Sequence, residues 1–338
     1  MTQPPPGSIS APMNSADPSS TESISEPSFL DGWYLTGATA SGKTGVGIEL
    51  AQRLDAEIIS LDSMALYREM DIGTAKPTSQ ERQCVPHHLL DVLSPRDEFS
   101  VSNYLEAARR MMIEIRSRGR QVLFVGGTPL YLKALLRGIF RGPPADWEFR
   151  HAVEEELKES GLPALYERLR QVDPLSAAKL HPHDKRRIIR ALEVHRATGR
   201  PISHLQTQFE EGRPAESCHV FALLWPRAVL HQRINRRVDE MFAAGFVEEV
   251  RGLLQRHGTL SRTALQAVGY REVIAHLQGR ADLATTIEAV KARTRRFARH
   301  QETWFRSLSE CRFVPLQEGN TDQEVAQQIL FSAGVTAF

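Results

Sequence analysis

The sequence predicts an α/β protein whose core is a parallel β-sheet with helices on both faces. Short apolar runs that suit strands alternate with helical segments over most of the 338 residues, an order typical of doubly wound sheets. The run Val122–Val125 is apolar throughout, as expected of a strand buried on both faces. From Trp147 to about Gln208 the sequence is charged and helical, without a strand pattern. We therefore predict a helical insertion in the core.

The chain divides into four predicted segments. Residues 1–29 are rich in Pro, Ser, Thr and Glu and hold few large apolar side chains, so we expect a disordered N-terminal tail. The first part of the core covers 30–145 and the helical insertion covers 146–210. The second part of the core, 211–338, ends in basic helices.

Local patterns place the elements in order. A first strand, Trp33–Leu35, leads through a glycine-rich loop into a helix. A second strand, Glu57–Leu61, is followed by two polar, loop-like segments, Met70–Pro77 and Pro86–Asp91. The other predicted elements are a helix Val101–Ser117 starting near Ser100 or Asn103, a strand Gln121–Val125, a strand His219–Trp225, helices from Ala228 to His257 and from Thr285 to Leu308, a strand Arg312–Leu316 and a terminal helix.

The glycine-rich loop, Gly37–Thr44, matches the phosphate-binding pattern G-x-x-x-x-G-K-[ST]. Gly37 and Gly42 allow backbone N–H groups to turn toward an anion. Lys43 adds a positive charge for terminal phosphates, and Thr44 offers a hydroxyl to Mg²⁺. With a strand before it and a helix after it, the loop predicts a core like that of the P-loop NTPases. The alternative is a glycine-rich turn with an exposed lysine.

Composition restricts the class of protein. The formal net charge is +1, so a nucleic-acid partner would have to bind local basic patches. No apolar run is long enough to cross a membrane, and the N-terminus lacks a signal-peptide pattern. The three cysteines, Cys84, Cys218 and Cys311, are far apart in the sequence and lack a disulfide or metal-binding pattern. The histidines also lack the spacing and partners of a zinc site; they are His87, His88, His181 and His183. We expect a cytoplasmic protein.

Two polar groups follow predicted strands at the edge where ligands bind in doubly wound sheets. Asp62 closes the second strand and could hold Mg²⁺ or act as a base, or simply cap the next helix. Thr128 follows Gly126-Gly127 and could donate a hydrogen bond to a ligand, or again cap a helix. The strand that ends at Val125 is not followed by Asp or Glu, so the second acidic motif of an ATPase is missing there.

Three basic clusters lie far apart in the sequence. The strongest is a helix whose cations Lys291, Arg295, Arg299 and Arg306 share one side. Another side of this helix is expected to pack on the core through Val290, Thr294, Phe297, Gln301 and Trp304. The other clusters are Asp184–Arg190 and Arg233–Arg237. Separate clusters suit an extended RNA better than a small substrate, although a solvated charged face is the alternative for each.

Taken in order, these motifs resemble the tRNA dimethylallyltransferases, also called tRNA isopentenyltransferases, of the bacterial type. The resemblance spans about Tyr34 to Arg306. Besides the phosphate loop, the matching segments are Asp62-Ser63, Met70–Pro77, Pro86–Asp91, Val125–Thr128, His181–Glu193, Arg233–Arg237, Val268–Arg271 and Gln301–Arg306.

The resemblance implies transfer of a dimethylallyl group from dimethylallyl diphosphate to N6 of the adenosine 3′-adjacent to the anticodon of a tRNA, with release of diphosphate. Asp62 would be the base, and Thr128 would bond at the reacting end of the donor. Lys43, Thr44 and Arg237 would bind the diphosphate, with Mg²⁺ at Thr44. The loop that holds the donor diphosphate instead of ATP would be Gly37, Ala38, Thr39, Ala40, Ser41, Gly42, Lys43 and Thr44.

The resemblance also implies contacts with the anticodon stem-loop of the tRNA. These contacts are Asp62, Ser63, Met64, Ala65, Thr128, Arg150, Arg186, Arg187, Ile188, Ile189, Arg190, Gln266, Ala267, Val268, Gly269, Tyr270, Arg271, Arg299, His300, Gln301, Glu302, Thr303, Trp304, Phe305 and Arg306. Separately, we expect a monomer and no membrane partner. The chain departs from the family at Ala65, where Gln is common, at Glu69, where Gly is common, and at His300, where Arg is usual. The last change makes a charge pH-dependent.

Two other functions are weighed against this one. A P-loop kinase of a nucleoside or small metabolite would share the loop and the sheet, but would consume ATP and leave the basic clusters without a role. An RNA-binding module with a vestigial phosphate loop would tolerate replacement of Lys43 and Asp62. The ordered set of motifs favours the transferase.

Overall fold

The core of the protein is a six-stranded sheet in which every strand pairs in parallel with its neighbours. A computed structural model describes residues 28–140, 142–206 and 212–335, so most of the predicted tail lies outside the described residues. The strands are β1 (Trp33–Gly37), β2 (Ala56–Ser60), β3 (His87–His88), β4 (Gln121–Val125), β5 (His219–Leu224) and β6 (Arg312–Pro315). Their order across the sheet is β3-β2-β4-β1-β5-β6.

Helices connect the strands and fill the layers around them. The described helices are α1 (Lys43–Arg53), α2 (Ser79–Cys84), α3 (Val101–Ser117), α4 (Pro129–Arg137), α5 (Trp147–Val172), α6 (Pro174–Lys179), α7 (Lys185–Thr198), α8 (Ile202–Leu205), α9 (Arg227–Ala243), α10 (Phe246–His257), α11 (Tyr270–Leu277), α12 (Leu283–Arg306) and α13 (Asp322–Ser332). Several of these helices are capped at their N-terminus by a short polar side chain. Ser100, for example, accepts a hydrogen bond from the Asn103 amide at the start of α3, which satisfies one of the free N–H groups there.

Both faces of the sheet are covered, because successive side chains of a strand point to opposite sides. Leu35 and Phe221 pack on one face with apolar residues of α1 and α13. Tyr34 and Phe124 pack on the other face with residues of α3 and α4. The predicted parallel sheet with helices on both faces is therefore confirmed.

Several short elements differ from the expectation. The segment predicted as a loop at Pro86–Asp91 contains β3, whose two residues pair with Ile58 and Ile59 and are too few to show an alternating pattern. The helical stretch after β5 is broken at Gly245, where φ is 99°, into α9 and α10. Helices α2, α4 and α11 were not predicted, because each has nine residues or fewer and so shows little periodicity.

Helices α5 to α8 form a helical layer with an apolar cluster of its own. Phe149 and Leu169 of α5 pack there with Ile188 and Leu192 of α7. Helix α5 is interrupted at Gly161, where φ is 74°, and both of its halves contribute side chains to this cluster. Within the three described ranges, no helix is both long and apolar enough to span a membrane.

A fourth cluster lies beyond the carboxyl edge of the sheet and joins α10 and α11 to the loop that follows β2. The rings of Phe246 and Tyr270 meet edge to face with centroids 5.1 Å apart. Tyr67 and Met70 of the loop are buried against them. Gly73 is required at this contact, since a Cβ there would lie 2.2 Å from the Phe246 ring. This packing fixes a wall of the cavity described below.

Candidate active site

The phosphate loop connects β1 to α1 and closes around its own lysine. Gly37 has a φ of 144° and Gly42 a φ of 93°, conformations that glycine adopts without strain. The Lys43 ammonium donates hydrogen bonds to the carbonyl oxygens of Gly37, at 3.1 Å, and Ala38, at 2.8 Å. Burial, and then the charge of Arg237, lower the pKa of Lys43 to about 7. A bound anion favours the charged form of this ammonium.

Asp62 lies two residues after β2, at the carboxyl edge of the sheet. It accepts a hydrogen bond from the Met64 amide at 2.8 Å. The next helix, α2, is capped by Thr78 instead, so the interpretation of Asp62 as a helix cap is wrong. Burial raises the pKa of this carboxylate, while the Met64 amide and the charge of Lys43 oppose the rise.

Thr128 follows β4 and is brought next to the end of β2. Its hydroxyl oxygen accepts a hydrogen bond from the Ser63 amide at 3.0 Å and makes no hydrogen bond to the first turn of α4. The interpretation of Thr128 as a simple side-chain cap is therefore wrong. Gly126 lets the two strand ends meet, since a Cβ there would lie 2.2 Å from the Leu61 carbonyl oxygen.

Gln301 of α12 joins the phosphate loop to the turn before Thr128. Its amide nitrogen donates to the Gly127 carbonyl oxygen at 2.6 Å, and its amide oxygen accepts from the Thr39 N–H at 2.9 Å. The residue is buried. Both ends of its amide are thus engaged within the protein, and Gln301 holds the phosphate loop in place.

Arg237 and Arg233 of α9 lie on different sides of the phosphate loop. Arg237 lines the cavity beside Lys43 and Thr44, and burial followed by the charge of Arg233 lowers its pKa. Arg233 donates to the Ala40 carbonyl oxygen at 2.8 Å. Arg237 is therefore placed to contact an anion in the cavity, while Arg233 supports the loop.

Apart from Arg233, these groups line one cavity of about 320 Å³. At one end it presents the phosphate loop with Asp62, Thr128 and Arg237. Elsewhere its wall is mixed, and its apolar part includes Met64, Leu90, Met241, Phe246, Val268 and Phe297. The cavity can hold an anionic group joined to a short apolar one, with a carboxylate at hand to take a proton.

Comparison with known proteins decides the family. The family model described as IPP transferase matches residues 65–308, which is more than half of the 338-residue chain. The chain belongs to the IPP transferase family. The family resemblance seen in the sequence and the P-loop-like α/β fold are thereby confirmed.

Individual relatives of this chain agree with the family model. The chain is 52% identical over 309 residues to a tRNA dimethylallyltransferase of Rhodopirellula baltica, and the match covers 89% of this chain and 92% of the relative. It is 37% identical to the solved full-length tRNA isopentenylpyrophosphate transferase of Bacillus halodurans, with a TM-score of 0.66 and coverage of 90% and 96%. A eukaryotic dimethylallyltransferase acting on tRNA has a TM-score of 0.73 at 24% identity, covering 90% and 80% of the two chains, and supports the fold alone.

The residues that the sequence resemblance implies as tRNA contacts include three groups. The exposed cations are Arg186, Arg187, Arg271, Arg299 and Arg306. Residues that line the cavity are Asp62, Ser63, Met64, Ala65, Thr128, Gln266, Ala267, Val268 and Gln301. Residues buried in apolar clusters are Ile188, Ile189, Tyr270 and Phe305. The residues of the last group are buried, so they support the exposed residues of their helices instead of reaching RNA themselves. Each direct RNA contact stays a prediction.

Two arginines implied as tRNA contacts are engaged by one buried carboxylate. Arg150 donates to both oxygens of Glu193, at 2.7 and 2.9 Å. Arg190 also pairs with Glu193 and donates to the Pro143 carbonyl oxygen at 2.9 Å. The Glu193 side chain is 1% exposed. These arginines therefore stabilise the helical layer, whatever else they bind.

Helix α12 differs from its predicted two-sided arrangement. Lys291 and Arg295 bond to side chains of α9, so they do not belong with the exposed Arg299. Phe297 was expected to pack on the core, but it is 41% exposed and lines the cavity. This helix therefore contributes an aromatic ring to the cavity wall as well as cations to the surface.

No role was predicted for Lys76, which ties together the two motifs Met70–Pro77 and Pro86–Asp91. Its ammonium, with a side chain 1% exposed, lies 2.6 Å from the Asp71 carboxylate and 2.5 Å from that of Asp91. It also donates to the Tyr67 carbonyl oxygen at 2.7 Å. The one available signal was the presence of both acids and the lysine in polar segments.

Proposed function

We propose that this protein transfers a dimethylallyl group from dimethylallyl diphosphate to N6 of the adenosine 3′-adjacent to the anticodon of a tRNA. The observation that carries the proposal is the cavity, in which a phosphate loop, the Arg237 guanidinium, the Asp62 carboxylate and an apolar wall meet. The relatives' names support this reaction over a P-loop kinase.

The phosphate loop and Arg237 would bind the diphosphate of the donor. Backbone amides of the loop, the Lys43 ammonium and the start of α1 all favour an anion. Mg²⁺ would add charge neutralisation at the leaving group. Among the described residues, no group of three His, Cys, Asp or Glu could hold a metal. The Thr44 hydroxyl suits an ion that takes its other ligands from the diphosphate and water.

Asp62 would accept the proton of the amine. As the N6 nitrogen bonds to the allylic carbon of the donor, the carbon–oxygen bond breaks and its electron pair leaves with diphosphate. The N6 proton then passes to the carboxylate. Burial raises the pKa of Asp62, which makes its carboxylate a stronger base. Thr128, held beside Ser63, would donate a hydrogen bond at the reacting end.

The exposed cations would bind the RNA backbone. Arg187 lies on α7 of the helical layer, Arg271 on α11 and Arg299 on α12. Cations on three separate elements suit an anticodon stem-loop that spans them. The adenosine has to leave its stack to reach the cavity. We propose that the protein acts in this way as a monomer in the cytoplasm.

The test is prenyl transfer by the purified protein with Mg²⁺ and labelled dimethylallyl diphosphate. The acceptor is an anticodon stem-loop RNA with adenosine at the target position, and the matched control carries guanosine there. Label in the adenosine RNA alone, with ATP inert in a parallel reaction, is the expected result. ATP consumption on a small acceptor without any labelled RNA would instead assign the phosphate loop to a kinase.

A further inference from the structure

The Glu249 carboxylate receives hydrogen bonds from four donors on two different segments. One oxygen accepts the backbone N–H groups of Asp71 at 2.8 Å and Ile72 at 2.6 Å. The other oxygen accepts the N–H of Gly73 at 3.2 Å and the hydroxyl of Tyr270 at 2.7 Å. Three successive amides that point at one anion form a preorganised binding nest. Here a side chain of α10 occupies this nest.

The two segments form different parts of the cavity wall. The loop held by its amides supplies Gly73 to Pro77 to the wall. Tyr270 begins α11, and the turn just before it supplies Gln266, Ala267 and Val268. One carboxylate therefore fixes the distance between two walls of the same cavity.

Close packing leaves little freedom at this junction. A Cβ on Gly73 would lie 2.2 Å from the Phe246 ring and 2.6 Å from the Tyr270 ring. A Cβ on Gly269, where φ is 97°, would lie 2.8 Å from the Phe246 ring. Because well-packed interiors transmit displacement, a shift of α11 would move the loop unless the hydrogen bonds to Glu249 broke.

We infer that Glu249 is a positioning residue for prenyl transfer: it holds the loop 70–77 and the segment 266–270 in the register that the reaction needs. This inference rests on the proposed function. Since segment 266–271 is also an implied RNA contact, the Glu249 carboxylate couples RNA binding to the shape of the donor cavity. A displacement of about 1 Å in such a wall can reduce turnover by about 100-fold.

The test compares Glu249→Gln with Glu248→Gln, a change of the same kind at the preceding residue. Glu248 is a matched control because its carboxylate is exposed and pairs with Arg251 on the surface. The amide introduced by Glu249→Gln keeps one acceptor oxygen, but its NH₂ group faces two of the four donors. We expect kcat per folded active site to fall about tenfold or more in Glu249→Gln, with a smaller rise in the Kd for the stem-loop RNA, because segment 266–271 is displaced as well.

A second variant separates positioning from failure to fold. Tyr270→Phe removes one of the four donors and keeps the ring in its packing, so we expect a smaller loss of kcat, about fivefold. The double variant should lose less than the product of the two single losses, because both act on one carboxylate. Kinetic constants of Glu249→Gln and Tyr270→Phe within about twofold of Glu248→Gln would overturn the inference.

Hydrogen exchange provides a readout that needs no turnover. The amides of Asp71, Ile72 and Gly73 should exchange at least about tenfold faster in Glu249→Gln than in the wild type, and at the wild-type rate in Glu248→Gln. Unchanged exchange in Glu249→Gln would show that the carboxylate does not hold the loop. If the wild type transfers no prenyl group, the proposed function fails, while the exchange rates still decide whether Glu249 fixes the wall.

Discussion

At the scale of single residues, the site depends on two groups whose protonation is shifted in opposite ways. Burial stabilises the neutral form of each, so it lowers the pKa of Lys43 and raises that of Asp62. The charge of Lys43 favours the ionised form of Asp62, and the charge of Asp62 favours the protonated form of Lys43, because both residues line the same cavity. A bound diphosphate would add a further negative charge, which favours the protonated form of Lys43.

Replacement of Asp62 by Asn should remove the proposed base without changing shape. We expect turnover to fall about 10²- to 10⁴-fold, the usual contribution of a general base, while the stem-loop RNA still binds. Single-turnover transfer and RNA binding are measured on the same preparations. Asp55→Asn is the control, since Asp55 precedes β2 at the opposite edge of the sheet and is 76% exposed. Lost RNA binding with intact turnover would contradict the role of Asp62.

The pKa of Lys43 predicts proton uptake when the donor binds. With a pKa of about 7 before an anion binds, the amine is mostly neutral at pH ~8, and the diphosphate favours its charged form. Affinity for dimethylallyl diphosphate should therefore be greatest below a pH of about 7 and fall by up to about tenfold per pH unit above it. Calorimetry at pH ~8 in buffers of different ionisation enthalpy should show uptake of about one proton, and none attributable to this site in Lys43→Met. Equal uptake by both proteins would refute this assignment.

At the scale of elements, Gln301 shows what the sequence could and could not predict. The helix itself was predicted, as was the burial of this position, because apolar residues recur around it at helical spacing. Its partners were not predictable, since the Thr39 amide lies 262 residues away in the chain. Glu249 and Gly73 likewise meet across 176 residues. No local sequence pattern indicates such pairs. For Gln301, the family resemblance implied a contact with RNA instead.

The helical layer contains a buried carboxylate, Glu193, that pairs with two arginines, Arg150 and Arg190. Burial raises the pKa of Glu193, but hydrogen bonds from Arg150, Arg190 and the Asp146 amide outweigh it, so the pKa lies below its usual value. The carboxylate therefore stabilises the fold fully above the ordinary glutamate pKa, about 4.3. This stabilisation is lost as the pH falls through the lower pKa of the folded state.

Glu193→Gln should consequently lower the free energy of unfolding by about 3 kcal/mol at neutral pH, since it leaves two partly buried guanidinium groups without their counter-ion. The difference from the wild type should narrow in acid, where the wild-type carboxylate becomes protonated. Urea unfolding at neutral and at low pH measures both effects. The control is Glu167→Gln in the exposed pair with Arg170, 54% and 61% exposed, which should change stability by less than about 0.5 kcal/mol.

At the scale of the whole molecule, the cavity lies between the carboxyl edge of the sheet and the α10–α11 cluster, and the helical layer contacts the segment before α11. The Trp147 ring of the helical layer lies 5.0 Å from the guanidinium of Arg262, which precedes α11. The sequence predicted the sheet from short apolar runs that alternate with helices, and the helical layer from a charged, helical stretch without a strand pattern. It did not predict the α10–α11 cluster, whose apolar residues pack on a loop rather than on a regular element.

The arrangement predicts that RNA binding is electrostatic and spread over the molecule. Arg299→Ala should weaken binding of the stem-loop and reduce the slope of log K against log salt by about one, the effect of losing one phosphate contact. Binding is measured by titration at several salt concentrations. Arg110→Ala is the matched control, since Arg110 is 73% exposed on α3, outside the three basic clusters. A slope in Arg299→Ala equal to that of the control would remove Arg299 from the RNA surface and leave the cations of α7 and α11 and Arg306 as the candidates.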